Sequence, residues 1–146
     1  DNVGVGYRSL FSNTTGTWNV AIGRAALKDN TTGGDNTAVG SKALKELTTA
    51  SYNTAVGKGA MEFNTTGNYN TAIGASTMTG TNTGGDKNVA VGYTALTALT
   101  SGDFNVGVGY EALNANTSGA QATAVGYQAL KYVQVTNQTM ILADLS

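Results

Sequence analysis

The chain has 146 residues, of which 20 are Gly, 23 Thr and 15 Asn, and only 12% are charged. It has no Pro, Cys or His and a net charge of −1. This excludes disulfide frameworks, Cys/His zinc sites, and mechanisms built on a Cys nucleophile or a His base. It also excludes an electrostatic grip on nucleic acid or anionic lipid. No apolar run approaches the ~20 residues of a membrane-spanning helix.

A repeat dominates the chain from its first residues. Asn2-Val3-Gly4-Val5-Gly6 returns at Asn19-Val20-Ala21-Ile22-Gly23, and further copies begin at residues 36, 53, 70, 88, 105 and 122. The starts lie 17 apart, with one step of 18 between 70 and 88. Self-similarity at a fixed period is the signature of a solenoid or array. The chain opens inside the pattern, which predicts that it is a segment of something longer.

Within each copy the first five residues read as a short strand closed by a turn. Repeat position 1 is Asn in seven copies and Ala122 in the last; positions 2 and 4 are β-branched, and position 3 is Ala or Gly. Alternation puts positions 2 and 4 on one face and positions 1 and 3 on the other. Position 5 is always Gly: Gly6, Gly23, Gly40, Gly57, Gly74, Gly92, Gly109 and Gly126. A glycine recurring this way predicts positive φ or a close backbone approach. Ala21, Ala38, Ala55, Ala72, Ala90 and Ala124 form a smooth stripe, expected to lie against another chain.

Position 6 carries Tyr7, Tyr93, Tyr110 and Tyr127, and position 17 carries Trp18, Tyr52, Tyr69 and Phe104. Each column reads either as lateral aromatic packing or as a sugar or receptor contact, since Tyr has an apolar body and a polar tip. The position-17 rings, just before the strand, are the more expected to be buried. Position 9 is always Leu or Met, preceded by a small residue, usually Ala. The stretch is too short for a stable helix, so a second strand or irregular structure is favoured over one helical turn. Positions 12 to 15 often read Asn-Thr-Thr-Gly, a turn sequence.

The expected architecture is all-β: a parallel β-solenoid, or β-roll, of about eight 17-residue coils over residues 1–130. Each coil would run strand, Gly turn, second strand, Thr-Gly turn. One coil cannot stand alone, because a few apolar side chains worth about 1.5–3 kcal/mol each face a backbone entropy cost of roughly 1–2 kcal/mol per residue. Stacked neighbours and hydrogen-bond ladders must supply the rest. Residues 131–146 leave the pattern and are expected to cap the last coil or lead into a following module.

Candidate chemistry is sparse. Asp35, Asp86 and Asp103 lie in or beside Gly turns and would suit calcium, but ordinary Asp turns are the stronger expectation. Neither a cofactor nor a metal is expected. No carboxylate pair has a cleft to face, so the chain is not expected to be an enzyme. The paired Thr residues invite comparison with flat ice-binding arrays, yet adjacent strand residues point opposite ways, which favours turns. The Asn-Thr-Thr triplets match a glycosylation sequon and are likewise taken as turns.

The stacked Asn-Thr/Val-Ala-Val/Ile-Gly motif resembles the head repeats of trimeric autotransporter adhesins of the YadA type, and equally repeats in tail fibres of bacterial viruses. The resemblance covers about residues 2–130 and is specific at the pentapeptide. It implies a left-handed β-roll, a parallel homotrimer and a surface-exposed, extracellular location on a virion fibre or a bacterial cell. Partners implied are two further copies of the chain and a glycan or protein receptor, with no nucleic acid and no membrane insertion. The coil is a few residues longer than the usual adhesin coil, and no neck or anchor sequence is present. The expected function is a rigid spacer and multivalent host-attachment platform, the fibre being preferred over the adhesin. An ice-binding solenoid and a purely structural filament are the alternatives.

Overall fold

The computed structural model describes residues 1–81, 84–134 and 140–141. Its strands are β1 (Val3–Val5), β2 (Val20–Ile22), β3 (Thr37–Val39), β4 (Thr54–Val56), β5 (Thr71–Ile73), β6 (Val89–Val91), β7 (Val106–Val108), β8 (Thr123–Val125) and β9 (Met140–Ile141). They form one parallel sheet in chain order. The register is that of the repeat: Thr37 pairs with Thr54, Ala38 with Ala55 and Val39 with Val56. The 18-residue step leaves it intact, since Thr71 pairs with Val89. The fold is a parallel β-solenoid of about seven turns, because eight repeat strands enclose seven strand-to-strand turns. There is no helix among the described residues.

Two residues of the expected cap extend the sheet, with Met140 opposite Thr123 and Ile141 opposite Ala124. The remainder of that segment, 135–139 and 142–146, lies outside the described residues.

Each of the eight repeats has one three-residue strand, and among the described residues there is no second strand. Residues around position 9 form turns instead, although their backbones still bond from coil to coil, as Leu27 N–H does to Ala43 C=O at 3.1 Å. The cause is visible in φ. Position 9 is left-handed in every copy, from Leu27 at +47° to Leu130 at +52°. Position 7 is also left-handed, and so is position 17. In a strand, successive side chains leave on opposite faces. Here Ala26 and Leu27 are both fully buried, which the left-handed residue between two ladder bonds makes possible. Left-handed backbone costs an L-residue roughly 1–2 kcal/mol. Burial of Leu27, Leu44, Met61, Met78, Leu96 and Leu113 offsets it at about 1.5–3 kcal/mol each.

The alanine stripe is corrected by the fold. Ala21, Ala38, Ala55, Ala72, Ala90 and Ala124 are wholly buried in the coil's own core, so no second chain can reach them. The coil is so narrow that position 3 faces the Leu or Met of position 9 across it. A branched residue there would leave that side chain no room. The β-branched positions 2 and 4 therefore face outward, the reverse of the arrangement that an Ala interface requires.

Two polar ladders run up the coil beside the strands, in opposite senses. At position 1, Asn19 Oδ1 accepts Asn36 N–H (3.0 Å), Asn36 Oδ1 accepts Asn53 N–H (3.0 Å), and Asn53 Oδ1 accepts Asn70 N–H (3.0 Å). At position 16 the bonds point from one coil's N–H to the next coil's side chain. Ser51 N–H bonds Asn68 Oδ1 (2.9 Å), Asn68 N–H bonds Asp86 Oδ1 (2.7 Å), and Asp86 N–H bonds Asp103 Oδ1 (2.8 Å).

Position 12 is an interrupted column. Asn30 Nδ2 donates to Asn13 Oδ1 at 2.9 Å, but Asn30 Oδ1 is buried without a partner. One coil on, the column holds Leu47, whose side chain has no N–H to offer and instead joins the apolar core.

The glycines of position 5 have φ from +125° to +136°. At Gly57 an added Cβ would lie 2.5 Å from the Gly74 carbonyl oxygen, so the turn needs glycine for both conformation and space.

Candidate interaction surface

The strands place one continuous face outward. Position 2 contributes Thr37, Thr54 and Thr71 among Val neighbours, and position 4 contributes Val or Ile throughout. These side chains are half-buried to exposed: Val56 is 36% exposed, Ile22 41% and Ile73 42%. In-register pairing repeats the rows every ~4.7–4.9 Å, and two strand residues span ~6.7 Å. The face is thus regular, uncharged and mostly apolar over eight strands. Alternation alone shows that the two strand faces differ. The narrow coil interior is the signal that the bulky one must be outside.

Two exposed columns border this face, position 17 before each strand and position 6 after it. Tyr93, Tyr110 and Tyr127 are brought together at position 6. Their rings stack with centroids 5.8 Å apart for Tyr93–Tyr110 and 5.2 Å for Tyr110–Tyr127. Tyr7 is separated from them by Arg24, Ser41, Lys58 and Ala75 in the same column, and Arg8 lies over its ring at 5.3 Å. Tyr110 has a ring on each side, while Tyr93 and Tyr127 end the stack with one ring neighbour each. Only the end rings keep a face uncovered by another ring, and Tyr127 is 67% exposed.

The position-17 rings are exposed, contrary to the expectation of burial: Trp18 is 65% exposed and Tyr52 52%. Left-handed φ at Trp18 (+58°), Tyr52 (+62°), Tyr69 (+57°) and Phe104 (+58°) turns them away from the core. Tyr52 and Tyr69 stack at 4.8 Å and 4°. Lys87 Nζ lies 4.9 Å from the Phe104 ring centre, within the range of a cation–π contact.

The acidic candidates are used internally. Asp86 and Asp103 each hold a backbone N–H of the neighbouring coil, while Asp35 is exposed at position 17. Among the described residues no three carboxylates gather as metal ligands would. The turn threonines are also engaged: Thr14 Oγ1 donates to Thr31 C=O (2.9 Å), Thr31 Oγ1 to Thr48 C=O (3.0 Å) and Thr100 Oγ1 to Thr117 C=O (2.9 Å). Of the Asn-Thr-Thr asparagines, Asn30 and Asn64 are fully buried.

Charge is concentrated in small ion pairs on the sides of the coil. Glu111 Oε2 meets Lys131 Nζ at 2.6 Å and Gln128 Nε2 at 2.7 Å. The bond from Lys131, then that from Gln128, holds the Glu111 carboxyl below the ordinary Glu range, and Glu111 in turn raises Lys131. The hydrogen bond to Glu46 raises Lys45. None of these pairs lies on the outward strand face. No described helix is long and apolar enough to cross a membrane. No family model, curated protein or solved structure matches the chain.

Proposed function

We propose that the chain is a non-enzymatic, surface-exposed fibre or adhesin segment that assembles as a parallel homotrimer. It acts as a rigid spacer and as a multivalent platform for attachment to a host cell surface, with a virus tail fibre preferred over a bacterial adhesin head. The observation that carries it is the unbroken outward face of Val, Ile and Thr. A monomer leaving so long an apolar strip in water would be unusual, and such strips mark interaction sites. The resemblance in the pentapeptides supplies the number three and the setting. Three copies would present each outer row three times, so weak contacts add by avidity.

Native mass spectrometry of the purified chain tests the assembly: three chains are expected, and a folded monomer at low micromolar concentration overturns it. Glu at Val56 and Ile73 should break the trimer, since charge would be buried against a like copy. A glycan array and whole-cell binding assay on the trimer test attachment, and binding to neither reduces the role to that of a spacer.

The alternative of ice binding moves to a different set of threonines. The column Thr37, Thr54 and Thr71 is paired in register on the outward strand face, whereas the turn threonines donate to backbone carbonyls of the next coil. Thermal hysteresis in dilute solution would favour it over assembly through that face.

A further inference from the structure

We propose that the two columns bordering the outward face form a self-recognition seam, in which the position-17 column of one copy packs against the position-6 column of the next. The proposal rests on the parallel assembly above and adds to it which residues meet.

A parallel cyclic assembly is heterologous: each interface joins two different edges of the same face. Cyclic symmetry also keeps all copies at one height. Each position-17 residue therefore faces the position-6 residue of its own level, to within a fraction of the ~4.7–4.9 Å strand spacing.

The chemistry of the two columns is complementary on that basis. Beside β2 the levels are Trp18 and Arg24, and beside β4 they are Tyr52 and Lys58. Beside β6 the cation and the ring exchange columns, giving Lys87 and Tyr93. At all three levels an aromatic faces a cation, whichever column holds which. Asp35, on the position-17 side, lies at a height between Arg24 and Lys58 on the other. No level sets like charges against each other. Packing like column on like column, as in an antiparallel pair, loses this match.

The side chains of Trp18, Arg24 and Lys58 are free to take part, whereas Tyr52 and Tyr93 each keep one stacking neighbour and Lys87 lies over Phe104. Among the described residues, Arg24 and Lys58 have neither an ion pair nor a ring contact. Trp18 stacks on no ring, since its column neighbours are Asp1 and Asp35. A cation within ~6 Å of an aromatic ring centre is attracted by the ring quadrupole. The seam would also shield the edges of the apolar face from water.

The chain has no native cysteine, which makes the test clean. Tyr52→Cys and Lys58→Cys combined should give, under mild oxidation, a covalent trimer on a non-reducing denaturing gel that reductant dissolves. Each single variant should run as a monomer. Phe104→Cys with Tyr110→Cys repeats the test at the level of β7, and circular dichroism checks that each variant is folded. A native trimer in which neither folded double variant links its chains overturns the seam and leaves the assembly standing. Covalent dimers from either single variant also overturn it, because like columns would then be meeting. A parent chain that is monomeric overturns the assembly itself.

Discussion

The side-chain oxygen of Asn36 accepts the backbone N–H of Asn53, one coil away, at 3.0 Å. The Asn36 amide donates at 2.9 Å to the Ala50 carbonyl. One side chain thus satisfies two backbone groups where no strand partner exists, at the point where each coil enters its strand. Asn53 Oδ1 likewise accepts the Asn70 N–H at 3.0 Å. Replacing Asn53 by Ala leaves the buried Asn70 N–H without an acceptor, at a cost of about 1–3 kcal/mol. Denaturant unfolding should show that loss, and hydrogen exchange should show the Asn70 amide losing protection first. Gln121→Ala, at an exposed position, should change neither.

Gly57→Val meets two obstacles at once. Its φ is +134° and its new Cβ would sit 2.6 Å from the Gly74 carbonyl carbon. A β-branched residue in left-handed backbone is a true outlier, and such strain costs on the order of 1–3 kcal/mol before the clash is added. Thr54→Val is the control, because Val already occupies the same outward column at Val20 and Val89. Thermal melts should show a severe loss for the first and little change for the second.

Thr94 is doubly unfavourable where it stands. It is a β-branched residue at φ +52°, and its Oγ1 is buried with no hydrogen-bond partner. Ala25 occupies the equivalent place at φ +58°. Thr94→Ala removes the orphaned hydroxyl and the branch, so it should stabilise the coil by about 0.5–2 kcal/mol. A lower melting temperature would show that the hydroxyl is bonded in solution.

Glu111 ties the seventh repeat to Lys131, the first residue after the regular pattern. Its carboxyl is held below the ordinary Glu range by the bonds from Lys131 and Gln128. A depressed carboxylate contributes stability above its unfolded pKa, and that contribution is lost as pH falls through the folded value. Glu111→Gln should therefore melt below the parent at pH 7, by a small amount because the pair is close to solvent. The gap should close under acid, below the ordinary Glu range. A gap that persists there would assign the effect to packing and not to charge.

Much of this molecule was legible in the sequence because stacking converts period into register. A repeat of 17 residues, laid coil on coil, sets like residue against like, so the strand positions, the parallel ladder and the Gly column followed from spacing alone. Gly57 advertised its backbone because no other residue tolerates that turn. Leu44, Tyr52 and Lys42 are also left-handed, but such residues carry no local mark of it. Packing and coil-to-coil hydrogen bonds hold them there against their own preference. That is why a second strand or irregular structure was expected and turns stand there among the described residues, and why the position-17 rings, read as the more buried of the two columns, lie outside. Alternation distinguished Ala55 from Thr54 and Val56 without saying which faced inward. Only the closed coil decided it: its width admits a methyl group opposite Met61 or Leu44, and a branched side chain has to turn to the outside.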